Sequence, residues 1–328
     1  MTRRDFTRKS ILAIAAAGTA GLIGYGVFNT DKLRAISNIR RMGHCAPGIM
    51  QTLLDINDIQ NTNMVLYAAG MAGGIAGPDM ECGALTAPLM FIGFRNNNLT
   101  AISEKLDVIS KAQSYVNEFT TFNGSSICSK IRQEGMPACM KTIRNFNKHF
   151  SKAAKSPAPL SDNVKESYLL LLKTFDDNKF HCAHNVLNSL SNKFIITKEL
   201  RDSSWVFIGG IALLNRTCGA LTAGVLALSS ATAKIEKSYL RVAKMNRLLR
   251  NQNNEAMNER INNFNLAINN SEELGSWFRR EFGSVTCREI WQFDFSDKKD
   301  VESYISGKCT LQCAYITKKV AEKVNMMI

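Results

Sequence analysis

A fifteen-residue run occurs twice in this chain, and that repetition limits what it can fold into more than any other feature. Gly-Gly-Ile-Ala, five variable residues and Cys-Gly-Ala-Leu-Thr-Ala fill Gly73 to Ala87 and again Gly209 to Ala223, with ten of the fifteen positions identical. A His-Cys-Ala lies upstream of each run: Cys45 is 37 residues before Cys82, and Cys182 is 36 before Cys218. A Gly-Ser-x-x-Cys follows each, ending at Cys128 and at Cys287. One more cysteine closes each set: Cys139 in the first copy, and Cys309 or Cys313 in the second. A chain of 328 residues holding two such copies is a tandem duplication, and the duplication dictates how to divide it.

The division gives an N-terminal segment 1–30, a first four-cysteine unit 31–155 and a second unit 156–328, joined across Ser151 to Asn163, which holds Pro157 and Pro159. Apolar residues fall at helical spacing: Leu33, Ile36 and Ile39 within Thr30 to Met42, then Ile49, Leu53, Leu54 and Ile56 after Pro47. Met64 to Phe94 and Trp205 to Leu228 are long apolar stretches broken by glycines and by charged residues such as Asp79, Glu81 and Arg216. The charges exclude membrane spans there and leave buried helix hairpins with a glycine-rich bend. Each unit then has a polar amphipathic helix, Leu99 to Phe119 in the first and an expanded Ala233 to Ile268 in the second, carrying Ile235, Tyr239, Val242, Met245 and Leu249 on one face. Strict alternation of apolar and polar residues is almost absent. The expected fold is all-α: two homologous helical units preceded by an N-terminal signal or anchor helix.

The cysteines recur near helix starts. Ser125 and Ser284 are natural N-caps that place Cys128 and Cys287 at the third helical position. Pro137 as a first helical residue places Cys139 similarly, and Ser306 does so for Cys309, with Cys313 one turn further on. Cys82 and Cys218 precede an apolar helix. Unpaired N–H groups and the positive end of the helix dipole favour thiolates and the negative charge of a metal–sulfide cluster. Four thiolates satisfy an iron–sulfur cluster or tetrahedral zinc. His44 and His181 adjoin the first cysteine of each set, as capping residues or as minor ligands. No Cys-x-x-Cys-His is present, which excludes attached c-type haem.

At the amino terminus, Thr2-Arg3-Arg4-Asp5-Phe6 followed by the weakly apolar run Ile11 to Phe28 resembles a twin-arginine export signal. That resemblance implies export of an already folded protein, to the periplasm or to the outer face of the cytoplasmic membrane, where residues 11–28 are long enough to stay as an anchor.

The cysteine sets resemble the redox-active proteins of the C_GCAxxG_C_C family, whose pattern reads C…CGAxxG…C…C. Cys45 and Cys182 look like its first cysteine. Cys82-Gly83-Ala84 and Cys218-Gly219-Ala220 match the central motif, Cys128 and Cys287 the third cysteine, and Cys139 and Cys309 the fourth. Ala87 and Ala223 stand where the family usually has glycine. The resemblance implies a redox role through a bound metal cluster, without a defined substrate.

Three function classes follow. One is an electron carrier with an iron–sulfur cluster in each unit and a redox partner protein in the export compartment. The second is a thiol–disulfide redox protein using Cys82 or Cys218 as nucleophile. The third is a helical binding module whose cysteines form disulfides or hold zinc. The formal charge of +13 is spread along the chain without a nucleic-acid motif, so no nucleic-acid partner is expected. No nucleophile–base set, phosphate loop or carboxylate pair points to an enzyme with its own substrate.

Overall fold

The computed structural model describes residues 30–96, 99–133, 136–155, 157, 159–190, 193–249 and 254–328; at 30, 136 and 245–264 the backbone alone is described. The signal or anchor expected at 1–28 lies outside these residues, as do the side chains of Met245 and Leu249.

The described chain is all-helical, with only two isolated bridges and no strand among the described residues. The first repeat contains α1 (Thr30–Met42), α2 (Cys45–Ile56), α3 (Thr62–Tyr67), a 3₁₀ turn at Ala69–Met71, α4 (Gly83–Arg95), α5 (Ile102–Asn123), α6 (Cys128–Gln133) and α7 (Met136–Lys155). The second contains α8 (Asp162–Asp177), α9 (Cys182–Asn188), α10 (Lys198–Ser204), a 3₁₀ turn at Trp205–Phe207, α11 (Gly219–Thr232), α12 (Tyr239–Leu249), α13 (Asn254–Phe282), α14 (Cys287–Trp291), α15 (Lys298–Ser306) and α16 (Cys309–Met326). No described helix is long and apolar enough to cross a membrane.

The motif helices α4 and α11 form the centre, buried almost to their last turns. Their lack of a polar face follows from their sequences, Gly-Ala-Leu-Thr-Ala with only apolar and hydroxyl residues after it until Arg95 ends α4, and a helix apolar all round is a core helix. Pro88 sits inside α4 and removes the N–H that would bond the Ala84 carbonyl. The buried Tyr115 hydroxyl supplies that bond instead, donating to Ala84 O at 3.0 Å.

The repeats pack reciprocally. Helix α4 of the first lies on α10 and the 205–207 turn of the second, while α11 of the second lies on α3 and the 69–71 turn of the first. Likewise α5 touches the 205–207 turn and α13 the 69–71 turn. Equivalent patches meeting each other's counterparts is the signature of a two-fold interface, here built within one chain.

One expectation is corrected. The expanded helix from Ala233 to Ile268 is two helices: Ala233 ends α11 in an extended conformation, and α12 begins only after Ser238, whose Oγ accepts from the Arg241 N–H at 3.2 Å. Helix α13 is itself broken at Asn265, whose φ of −158° is not helical.

Candidate functional site

Each repeat brings four cysteines to helix starts, though not at the expected caps. Ser125 Oγ accepts from Ile127 N at 3.0 Å and Ser284 Oγ from Thr286 N at 3.2 Å, so both serines close a turn before the helix. Thr286 is the true cap, accepting from Glu289 N at 3.3 Å, and Cys128 and Cys287 are the first residues of their helices. Ser306 ends α15, and Cys309 opens α16 behind Lys308. Cys139 is the fourth residue of α7.

An antiparallel bridge fixes the two central cysteines of each repeat. Cys82 N donates to Ser126 O at 2.8 Å and Cys128 N to Met80 O at 2.9 Å; Cys218 N donates to Val285 O and Cys287 N to Arg216 O, both at 2.8 Å. The bridge holds the two sulfurs in hydrogen-bonding contact, Cys82 with Cys128 and Cys218 with Cys287. The third sulfur sits against the motif glycine: a Cβ on Gly83 would lie 3.1 Å from Cys45 Sγ, and one on Gly219 would lie 2.5 Å from Cys182 Sγ. The fourth thiols are Cys139, which feels the charges of Cys128 and Cys45, and Cys313, which feels those of Cys218 and Cys182.

Cys309, assigned by resemblance to the second set, is not among these sulfurs. Its acidity is governed by burial and its own N–H alone. Cys313, the alternative one turn on, lines a cavity of about 20 Å³ together with Cys182, Cys218 and Cys287, and takes a 3.1 Å hydrogen bond with the Tyr304 hydroxyl. The two share a face of α16, and the difference is axial: Cys309 stays at the helix start, while Cys313, one turn along, reaches the cavity. All nine thiols are free.

The family model described as "Putative redox-active protein (C_GCAxxG_C_C)" matches residues 43–155 and 180–327, each region spanning one complete four-thiol set. The chain belongs to this redox-active family. No curated protein and no solved structure matches it.

In both family units most of the thiols are raised by burial, while one of each central pair, Cys128 and Cys218, is lowered. Burial pushes Cys45 up to about 11, and Cys139 and Cys182 up to about 12. Within each hydrogen-bonded pair, one thiol ionises more readily because the other donates to it, and the second is raised in return. Backbone N–H groups work against burial. Gly73 and Ala46 donate towards Cys45, and Gly209 and Ala183 towards Cys182. Gly73 and Gly209 open the repeated motif with φ of +86° and +57°, a conformation that suits glycine. In the first unit Arg132 adds a positive charge that favours thiolate at Cys128 and Cys139.

These donors suit an iron–sulfur cluster chemically: four thiols per unit, N–H groups at helix starts, and an apolar shell. Among the described residues, no group of three or more His, Cys, Asp or Glu is arranged to hold a single metal ion.

The histidines behave as structural residues. His181 Nδ1 accepts from the His184 N–H at 3.2 Å and its Nε2 lies 3.0 Å from Trp205 O, so both ring nitrogens are engaged by backbone and neither is left for a metal. His44 occupies the N-cap of α2 without a side-chain cap bond, and burial followed by the charge of Arg241 lowers its pKa to about 4.

A polar link between the units escaped the sequence reading. Glu81, only 3% exposed, precedes Cys82 and accepts from the Thr217 hydroxyl, which precedes Cys218. Arg216 Nη1 lies 3.9 Å from Glu81 Oε1 and donates to Ser126 Oγ at 2.5 Å. One hydrogen bond therefore connects the residues preceding the two motif cysteines. Its signal was an acid inside an apolar run directly before a motif cysteine, which the sequence reading used only to exclude a membrane span.

Proposed function

We propose that each repeat holds an iron–sulfur cluster, on Cys45, Cys82, Cys128 and Cys139 in the first and on Cys182, Cys218, Cys287 and Cys313 in the second, and that the chain carries electrons for a redox partner protein. The supporting observation is the gathering of four free thiols in each unit from helices far apart in sequence. A dithiol needs two sulfurs; a third and fourth in the same buried place are the number a cluster takes. When bound, such a cluster supplies reversible one-electron exchange. The protein's part is to present sulfur, to place N–H groups of Gly73, Gly209 and the helix starts against negative charge, and to exclude water with an apolar shell. The twin-arginine-like start is consistent with export after folding around a cofactor, to the periplasm or an anchored position on the outer face of the cytoplasmic membrane.

The direct thiol–thiol hydrogen bonds favour one alternative, a disulfide-forming pair at Cys82–Cys128 and Cys218–Cys287 with the other thiols as auxiliaries. Iron and acid-labile sulfide analysis of anaerobically prepared full-length protein separates the two. The expected result is brown protein with two clusters' worth of iron and sulfide per chain. Colourless protein that stays metal-free after reconstitution and gives up two electrons per thiol pair to an added oxidant, forming a disulfide, would replace the cluster reading with the dithiol one.

A further inference from the structure

A cleft of about 530 Å³ opens beside the second sulfur set, at the boundary between the repeats. Phe175 and Phe180 line both this cleft and the small cavity that holds Cys182, Cys218, Cys287 and Cys313. The cleft and the sulfur cavity therefore share two aromatic side chains. The volume is that of an ordinary small-molecule site, and a domain boundary is a usual place for one.

The walls are aromatic and the rim donates hydrogen bonds. Trp205, Phe175 and Phe180 provide flat apolar faces, and His181 and His184 stack with ring centroids 4.0 Å apart. The two carboxylates of the rim are already engaged, Asp176 by Lys105 at 2.6 Å and Asp202 by Lys198 at 2.7 Å. Lys179, Asn185 and Asn188 add N–H donors. Flat apolar walls under a rim that offers ammonium and amide N–H donors suit a planar ring that carries acceptors.

In the first repeat the second repeat's insertion lies over the corresponding flank. Cys218 to Cys287 spans 69 residues against 46 from Cys82 to Cys128. The added residues include α12, which packs on α1, with Ser238 N bonded to Arg41 O at 3.0 Å and Tyr239 Oη 2.8 Å from Ser37 Oγ. Arg241 of α12 acts on His44 as Lys105 acts on His181. Each histidine thus feels a cation of the other repeat, and beside His181 the flank opens into the cleft.

We propose that this cleft binds a quinone, a planar ring whose carbonyls accept from the rim, adjacent to the second sulfur centre. The assignment of a redox ligand rests on the electron-carrier reading; the binding does not require metal. Duroquinone is a suitable probe, since its ring carbons are all substituted and do not add thiols. Titrated into full-length reduced protein, it should quench tryptophan fluorescence saturably. Asn188→Phe, at an exposed position on the cleft wall, should weaken binding about tenfold or more while leaving helicity unchanged, and Trp205→Phe should remove most of the quenching. Absent saturation, or unaltered quenching in both variants, would overturn the proposal. Iron content is read separately. Metal-free protein that binds duroquinone keeps the cleft and loses the cluster reading, and iron-loaded protein that does not bind it loses the cleft alone.

Discussion

In the first repeat Arg132 lies close enough to favour thiolate at Cys128 and Cys139, and α12 lies over the flank where His44 sits. In the second, the fourth thiol bonds the Tyr304 hydroxyl, and the corresponding flank opens into the large cleft. The frame between these surroundings is shared: a bridge fixing two cysteines, a glycine N–H towards the third, and a motif helix behind them. Duplication kept what gathers the sulfurs and released what surrounds them.

The largest test of this comparison is removal of one site at a time. Cys82→Ser should lose about half the bound iron and leave the second site loaded, and Cys218→Ser should do the reverse, measured as iron and sulfide per chain. Cys313→Ser should match Cys218→Ser, whereas Cys309→Ser should retain full loading. Equal loss from Cys309→Ser would reverse the assignment of the fourth ligand.

Next is the link between the sites. Glu81→Ala leaves Thr217 and Arg216 without their buried partner and should cost about 2–4 kcal/mol in denaturant unfolding. Thr217→Val, which removes a neutral partner, should cost less, about 1–2 kcal/mol. Equal costs would show that charge pairing adds nothing at this position.

A smaller effect distinguishes the motif glycines. A methyl on Gly219 would lie 2.5 Å from Cys182 Sγ and 2.4 Å from the Phe207 carbonyl oxygen, whereas on Gly83 its nearest neighbour would be Met71 O at 2.6 Å, with Cys45 Sγ at 3.1 Å. Gly219→Ala and Gly83→Ala should each destabilise by about 1–3 kcal/mol, and Gly219→Ala should displace its cysteine more. Iron loading should therefore fall further in Gly219→Ala.

The finest comparison is between identical residues. Gly209, Gly210, Ile211, Ala212 and Leu213 all have positive φ, between +51° and +72°. In the first repeat Gly73, Gly74, Ala76 and Gly77 have positive φ and Ile75 does not. A branched residue held left-handed is strained by roughly 1–2 kcal/mol. Ile75 and Ile211 are both fully buried. Ile211→Gly should therefore be less destabilising than Ile75→Gly by about that amount, since both lose the same side chain and only one relieves strain.

Much of this was legible in the residues. Apolar spacing located the helices before α5 well, because burying one face requires that period and little else produces it. The repeated His-Cys-Ala, Cys-Gly-Ala and Gly-Ser-x-x-Cys identified three cysteines of each set, and only the fourth had to be chosen by position. The broken helix after Ala233 was not legible, since its apolar positions continue at helical spacing through a segment that packing holds extended. Neither was Glu81, whose partner lies 136 residues away in the other repeat.

The sequence alone determined the duplication, the helical class and the cysteines available to each half, because periodicity and repetition are local properties of the chain. Tertiary structure decided which of Cys309 and Cys313 lines the cavity with Cys182, Cys218 and Cys287, the pairing of Glu81 with Thr217 and Arg216, and the two backbones of one tetrapeptide. Gly-Gly-Ile-Ala has the same intrinsic preferences at both places. What differs is the residues that follow, Gly77-Pro78-Asp79 in one copy and Leu213-Leu214-Asn215 in the other, and the chain each copy packs against, which the folded molecule supplies.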